Sequence, residues 1–288
     1  MPAIKQPRWY KEEASVPYKM SKKVLITGAS GYLGKYFLQK TTNQNYNIQE
    51  FVGDITDTKD VQSNFDGRHY DVIVHFAAKV ASSVDQETMM LTNYEATKNL
   101  VAAADDKTHF IFLSSDLVFN NSRSRAYRIG DTKDPQTLYG KSKHYAEEHL
   151  KDNTARLTII RTSMLYGYNN PKRKNFLRFL YERLVQDKNV SVYTDVFCQP
   201  THIEDLSNFI IKTIDEEMLG TYHAVGEERL NRYDLAKKFC ETHAFNTNLL
   251  IKESRSETVP PVQLFLRPSK EFTKIKKHSL PEGLKYQL

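Results

Sequence analysis

The chain has 288 residues, 40% of them hydrophobic, with a formal net charge of +6 and two cysteines. Its basic residues are scattered and no apolar run reaches the length of a membrane span, so we expect neither a nucleic-acid nor a membrane partner. Cys198 and Cys240 lie far apart without CxxC spacing, which favours reduced thiols in a cytoplasmic protein, and we predict no metal site.

The first part of the chain, residues 1–21, contains three prolines and several charges but no apolar segment of the kind found in secretory signals. We predict that it forms a flexible arm that precedes the globular part.

Residues 24–27 form an apolar run that predicts a buried parallel strand, and three spaced glycines and a helical segment follow it. Strand, glycine turn and helix together are typical of dinucleotide binding. Gly28 would permit the tight turn, Gly31 would let the backbone reach a pyrophosphate, and Gly34 would let the helix lie close to the strand. The predicted cofactor contacts in this segment are Gly28, Ser30, Gly31, Tyr32, Leu33 and Gly34.

A second strand is predicted over residues 47–52, and the segment is short enough that the usual second and third strands are compressed or partly lost. Glu50 and Asp54 both lie near the position of an acid that would bind the adenosine ribose. Asp54 could equally cap a helix or hold a turn, and the two alternatives stay open.

A third strand, over residues 71–78, ends in the small residues Ala77 and Ala78, which would let the backbone approach a cofactor. His75 within this strand is interpreted as a core histidine with satisfied hydrogen bonds. A helix over residues 84–104, which contains Asn93, is expected to follow.

Tyr139 and Lys143 lie four residues apart, where a helix places two side chains on one face. A lysine one turn away would stabilise the phenolate and lower the tyrosine pKa, which suits proton transfer. Ser115 ends a strand predicted over residues 110–116, and ligands of open parallel sheets bind at such strand ends. The alternatives are a surface Tyr and Lys pair and a serine that caps a turn.

A further strand over residues 157–161 completes an alternation of strands and helices, which predicts an α/β fold with a doubly wound parallel sheet. We expect a Rossmann domain over residues 22–168, with later returns near 190–225, and a smaller C-terminal substrate lobe mainly within residues 169–288. The further predicted elements are helices over 175–184, 203–214 and 232–243 and strands over 190–193 and 221–225.

Several segments in unbroken order, from residue 22 to residue 269, resemble the extended short-chain dehydrogenase/reductase superfamily, and within it the dTDP-4-dehydrorhamnose reductases. The matching segments are the three glycines and residues 53–57, 77–78, 113–119, 139–143, 161–167, 175–176, 200–201, 205–206 and 267–268. The resemblance implies the catalytic residues Ser115, Tyr139 and Lys143, further cofactor contacts from Asp54, Ile55, Ala77, Ala78, Lys79 and Asn93, and substrate contacts from Asp116, Val118, Asn175 and Arg267.

The implied activity is reduction of a nucleotide-linked 4-keto-6-deoxy sugar by NAD(P)H, by a protein that could form a homodimer. Departures from related families are informative: Leu117 stands where the 4,6-dehydratases have a second acid, and Gln199 stands where many epimerases have an arginine. Two alternatives remain, a sugar-nucleotide epimerase and a dinucleotide-binding regulatory subunit that resembles the β subunit of methionine adenosyltransferase.

The sequence gives mixed indications about the cofactor. Glu50 or Asp54 at the ribose would favour NADH, and no arginine lies between Gly28 and Asp54. However, the resemblance places Asp54 at the adenine, and Lys35 or the Lys22–Lys23 pair could receive a 2′-phosphate. Because reductive sugar biosynthesis in the resembling family commonly uses NADPH, we predict NADPH over NADH.

Overall fold

The computed structural model describes residues 21–80, 85–121, 125–170, 175–255, 263–275 and 277–287. Apart from Ser21, the predicted N-terminal arm lies outside the described residues. The described strands are β1 (Lys22–Thr27), β2 (Tyr46–Glu50), β3 (Val72–His75), β4 (His109–Ser115), β5 (Leu157–Thr162), β6 (Leu165–Tyr166), β7 (Val190–Tyr193), β8 (Phe197–Cys198), β9 (Thr201–His202), β10 (Gly220–His223), β11 (Leu230–Asn231) and β12 (Leu250–Glu253).

Ten α-helices connect or flank these strands in the described part of the chain. They are α1 (Tyr32–Thr41), α2 (Thr58–Phe65), α3 (Gln86–Met90), α4 (Ala96–Ala103), α5 (Leu138–Asn153), α6 (Phe176–Leu184), α7 (Ile203–Asp215), α8 (Arg232–His243), α9 (Lys270–Thr273) and α10 (Leu280–Leu284). A π-helical turn over Leu91–Glu95 joins α3 to α4, so the helix predicted over 84–104 is one interrupted element. None of the described helices has the length and apolarity needed to cross a bilayer.

Six strands form one parallel sheet in the order β10-β5-β4-β3-β1-β2. This order confirms the predicted doubly wound α/β fold. It changes direction between β1 and β3, and the carboxyl ends of strands at such a point border a crevice in which ligands bind. Only helix α2 lies between β2 and β3, which agrees with the predicted compression of this region.

Both faces of the sheet are covered, as the continuous apolar strands require. On β1, Val24 and Ile26 pack on one face with residues of α1 and α7, while Leu25 packs on the other face with residues of α4 and α5. His75 on β3 is fully buried, and its ring lies 2.6 Å from Thr27 Oγ1 and 3.0 Å from Thr97 Oγ1. The interpretation of His75 as a satisfied core histidine is therefore confirmed.

A separate apolar cluster lies in the C-terminal part, where α6, α8 and α10 pack with β7 and β12. Of the segments expected to return to the sheet near residues 190–225, β10 pairs with β5 in the central sheet. In contrast, β7 pairs with β12 outside it. The strand β7 and the helix α8 have the bounds that the sequence predicts.

The turn between β1 and α1 depends on glycine at two positions. Gly28 has a φ of +71°, and a Cβ there would lie 2.5 Å from Ala77 N. Gly34 lies inside α1, where a Cβ would lie 2.3 Å from Gly28 O and 2.8 Å from Ala29 Cα. The helix can approach the strand end this closely only without side chains at these positions.

We expect Gly34→Ala to destabilise the fold by about 1–3 kcal/mol, because the added methyl group forces α1 away from the turn. Equilibrium unfolding in denaturant measures this loss. Gly130→Ala is the matched control, since no heavy atom lies within 4 Å of a Cβ at that position. Equal stability of the two variants would contradict the close approach of α1 to the turn.

Candidate active site

A groove lies along the carboxyl ends of the central strands. It consists of a cavity of about 470 Å³ beside β4, β5 and α5 and a cavity of about 1120 Å³ beside β1, β2 and β3. Gly28, Gly31, Phe76 and Ala78 line both cavities, so the groove is continuous. We name its two ends after the ligands predicted from the sequence: the substrate end is at the smaller cavity and the adenosine end is at the larger one.

The N-terminus of α1 faces the middle of the groove. Gly31 is its N-cap and supplies no side chain to cap the first turn, so backbone N–H groups of that turn are left for an anion. Tyr32 anchors the helix, because its hydroxyl donates to Tyr168 O at 3.0 Å and accepts from Tyr168 N at 3.1 Å. Ser30 lines the adenosine end, and Tyr32, Leu33 and Gly34 line the substrate end.

At the adenosine end, the structure brings together Lys35, Glu50, Asp54 and Ile55. Asp54 Oδ1 accepts hydrogen bonds from Thr56 N at 2.9 Å and from Thr56 Oγ1 at 2.8 Å, and these bonds lower the pKa of the Asp54 carboxyl. Asp54 therefore holds a turn, as one alternative expected, and its contact with a cofactor stays a prediction.

The Lys22–Lys23 pair lies at the start of β1, at the amino ends of the central strands, whereas the groove lies at their carboxyl ends. Lys22 Nζ donates to Ile214 O at 2.6 Å and to Glu217 Oε1 at 3.0 Å. The expectation that this pair could reach a 2′-phosphate is wrong, because the whole length of β1 separates it from the glycine turn.

Ala77, Ala78 and Lys79 line the adenosine end as predicted, whereas Asn93 lies behind it. Asn93 is fully buried, with its side-chain oxygen accepting from Lys79 N at 2.8 Å and its amide donating to Lys79 O at 2.9 Å and to Ser142 Oγ at 3.0 Å. The side chain thus fixes the loop after β3 against α5, which is a positioning role.

Ser115, Tyr139 and Lys143 all line the substrate end. Ser115 ends β4, while Tyr139 and Lys143 lie one turn apart on α5, with Lys143 Nζ 6.0 Å from the centroid of the Tyr139 ring. Lys143 is almost fully buried and its Nζ donates to Leu113 O at 2.8 Å. The structure therefore brings the three predicted catalytic residues to one cavity.

Burial decides the protonation of this group. It raises the pKa of the Tyr139 phenol above its ordinary value, and the nearby Asp116 carboxyl adds to this effect. Burial also lowers the pKa of Lys143 to about 7. The net shift is therefore upward, opposite to the lowering expected from Lys143 alone, because burial removes the hydration that stabilises a phenolate. Tyr139 is a neutral phenol at neutral pH, able to donate a proton.

Of the four predicted substrate contacts, only Asp116 lines the substrate end, where its Oδ1 accepts from Ser115 Oγ at 2.8 Å. Val118 is fully buried in an apolar cluster beneath the groove. Asn175 caps α6, with its side chain accepting from Arg178 N at 2.8 Å. Arg267 is exposed and its backbone N donates to Tyr127 O. Packing of the C-terminal part thus turns three of the four side chains away from the groove.

Other residues that were not predicted from the sequence also line the substrate end. They include Leu117, Thr162, Ser163, Met164, Leu165, Val196, Phe197, Cys198, Arg232 and Leu264. Thr162 and Ser163 directly follow Arg161 on β5, so the strand-end rule that located Ser115 could have found them. Arg232 opens a helix in the C-terminal part and carries no local signal of a ligand site.

A buried ionic network lies behind the reactive side chains. Glu147, on α5, accepts from Arg161 Nε at 2.9 Å, from Arg161 Nη2 at 2.7 Å and from Ser114 Oγ at 2.6 Å, and Lys133 Nζ lies 3.1 Å away. Burial by itself would raise the pKa of Glu147, but the hydrogen bonds and charges of Arg161 and Lys133 hold it at about 2. The network ties α5 to β4 and β5.

The low pKa of Lys143 predicts a pH-dependent stability. Its folded-state pKa of about 7 lies below its ordinary value, so between these values the unfolded chain binds more protons and stability rises with pH. We expect the unfolding free energy of the wild type, relative to Lys143→Met, to rise by about 2 kcal/mol between pH 7 and pH 9.

Denaturant unfolding at the two pH values measures this difference. Lys141→Met, which removes an exposed lysine from the same helix, is the control. If the difference in unfolding free energy between the wild type and Lys143→Met is the same at both pH values, Lys143 is not desolvated as described.

The chain matches a known protein family over most of its length. The family model described as RmlD substrate binding domain matches residues 22–271. The spore coat polysaccharide biosynthesis protein SpsK of Bacillus subtilis is 29% identical over 237 residues, 79% of this chain and 82% of that protein. Methionine adenosyltransferase 2 subunit beta of Bos taurus is 28% identical over 263 residues, 83% of this chain and 76% of that protein.

Among solved structures, dTDP-4-dehydrorhamnose reductase from Bacillus anthracis, in complex with NADP, superimposes with a TM-score of 0.83 at 26% identity. The match covers 93% of this chain and 99% of that one. The family model spans nearly the whole described sheet and most of the C-terminal part, which agrees with the resemblance found from the motifs. The chain belongs to the RmlD substrate binding domain family of extended short-chain dehydrogenase/reductase-like proteins.

Proposed function

We propose that this protein is an NAD(P)H-dependent reductase of a nucleotide-linked 4-keto-6-deoxy sugar. The observation that carries the proposal is the convergence of Ser115, Tyr139 and Lys143 on a cavity continuous with the glycine turn. Family membership and the similarity to a dTDP-4-dehydrorhamnose reductase support the same reaction.

The residues present fit a dinucleotide. Any side chain at Gly28 would collide with Ala77, so the turn is shaped for close backbone approach, and the uncapped start of α1 suits a pyrophosphate. Lys35 and Glu50 would flank the adenosine, and Lys143 would hold the nicotinamide ribose. When bound, the reduced cofactor supplies a hydride to the keto carbon.

Tyr139 then donates its phenolic proton to the oxygen of the reduced carbon, which leaves a hydroxyl on the sugar. The raised pKa suits this role, because the phenol stays protonated at neutral pH until an alkoxide, a stronger base, forms beside it. Ser115 Oγ hydrogen-bonds the substrate oxygen and orients it toward Tyr139. The single hydrogen of Ser115 Oγ is donated to Asp116 Oδ1 in this structure, so it turns from Asp116 to the substrate oxygen on binding.

We expect Tyr139→Phe to lower turnover by about 10²–10⁴, the usual share of general acid catalysis, and to leave cofactor affinity nearly intact. Steady-state reduction of 4-keto-6-deoxy sugar nucleotides, followed by mass spectrometry, measures the loss. Tyr145→Phe, which changes an exposed tyrosine on the same helix, is the control. Equal turnover of Tyr139→Phe and the wild type would remove Tyr139 from the mechanism.

We propose NADPH as the preferred cofactor, because Lys35 lines the adenosine end and the Bacillus anthracis reductase holds NADP. Lys35→Met should weaken NADPH binding about three- to fivefold, as expected for an exposed ion pair, and leave NADH binding unchanged. Fluorescence titration with both reduced cofactors measures this. A wild-type Kd for NADH that is about tenfold lower than that for NADPH would reverse the preference and assign Glu50 or Asp54 to the ribose.

A second candidate function, a regulatory subunit, is supported by the similarity to methionine adenosyltransferase 2 subunit beta, whose identity to this chain is close to that of SpsK. The regulatory subunit would bind a dinucleotide, reduce no keto sugar and co-purify with a synthetase. Turnover of a keto sugar by the isolated chain decides for the reductase. Formation of an epimer without net consumption of cofactor would instead support the epimerase alternative.

We also propose that the protein forms a homodimer, as the resemblance to the dTDP-4-dehydrorhamnose reductases implies. Light scattering of the purified protein distinguishes it from a monomer.

A further inference from the structure

Arg232 is an arginine that lines the substrate end of the groove, and no salt bridge between described residues includes it. It is the first residue of α8 and lines the substrate end of the groove together with Val196 and Cys198. Its backbone N donates to Val196 O at 2.8 Å, and the pairing of β11 with β8 brings this segment to the groove. Its position is therefore fixed by backbone contacts and does not depend on the guanidinium.

The guanidinium makes few polar contacts of its own. It lies over the Phe176 ring at 4.9 Å from the centroid, and Nη1 is 2.7 Å from Met164 Sδ. A thioether is a weak acceptor, and none of the salt bridges found among the described residues includes Arg232. Most of its N–H donors are thus uncommitted while its plane is held by the aromatic ring.

The position of Arg232 at the start of α8 makes its positive charge less favourable. The N-terminus of a helix carries a partial positive charge, which disfavours Arg232 at the first position of α8. Asp234, the acid in the first turn, does not pair with Arg232. Guanidinium and helix end together favour an anion at this point of the groove.

The other groove cations are placed for different tasks. Lys143 donates to Leu113 O beside Tyr139, and Lys35 lies at the adenosine end. We infer that Arg232 binds the diphosphate of the nucleotide-linked sugar, through the paired N–H donors that suit phosphate oxygens. This inference rests on the proposed function. Arg267 and Asn175, two of the predicted substrate contacts, do not line the groove.

The test uses a nucleoside diphosphate without the sugar, so that binding is separated from turnover. We expect Arg232→Gln to weaken binding of dTDP or UDP about 10- to 100-fold in isothermal titration calorimetry, as for loss of a charged hydrogen-bonding group. Arg232→Lys keeps the charge but loses the paired donors, so its affinity for dTDP or UDP should lie between those of the wild type and Arg232→Gln. Arg267→Gln is the matched control and should bind like the wild type.

Two further measurements separate ligand binding from a structural role through Phe176. Affinity for NADPH and the unfolding midpoint of Arg232→Gln should stay close to wild type. Affinity for thymidine or uridine, which lack phosphates, should also be unchanged by the substitution.

Nucleoside diphosphate affinity of Arg232→Gln within about threefold of wild type would overturn the inference, as would an equal loss for nucleosides. Failure of the wild type to bind dTDP or UDP would overturn it too. A wild type that reduces no keto sugar, but whose diphosphate affinity depends on Arg232, would refute the reductase and keep the inference. A wild type that reduces the keto sugar, with a KM that Arg232→Gln leaves unchanged, would support the reductase and refute the inference.

Discussion

The buried ion pair between Glu147 and Arg161 is the interaction on which the geometry of the groove depends. Arg161 lies on β5, Glu147 on α5, and Ser114, which donates to the same carboxylate, on β4. Ser115 follows Ser114 directly on β4, and Lys143 lies one turn before Glu147 on α5. The groove residues of these elements are therefore held close to the buried network. A shift of one element would separate the buried partners. Because an unpaired buried charge costs about 3–5 kcal/mol, the three elements keep their relative positions.

The same burial determines the chemistry available at the groove. Loss of hydration raises the pKa of Tyr139 and lowers that of Lys143, so both side chains favour their uncharged forms. A neutral phenol beside a serine hydroxyl suits proton donation to an oxygen that becomes negative during reaction. The fold itself does not dictate this chemistry, since relatives of similar identity include both a spore coat polysaccharide biosynthesis protein and the beta subunit of methionine adenosyltransferase 2. Function therefore depends on the side chains of the groove.

Much of the framework could be predicted from local patterns. Apolar runs ended by glycine or small residues located β1 and β3, and the helix predicted over residues 232–243 has the observed bounds of α8, Arg232–His243. These predictions succeed because strand and helix periodicities are properties of neighbouring residues. The pair at positions 139 and 143 belongs to the same class, since residues four apart share a helix face wherever the helix lies.

The sequence by itself thus determined the order of elements, the glycine turn and the alignment of Tyr139 with Lys143. Only the tertiary structure decided which polar side chains reach the groove: it placed Arg232 there and turned Arg267 outward. It also set the direction of the tyrosine pKa, opposite to the expectation from Lys143 alone. The physical reason is that burial and charge environment arise from contacts between segments distant in sequence, such as Arg232 with Met164, which no local period encodes.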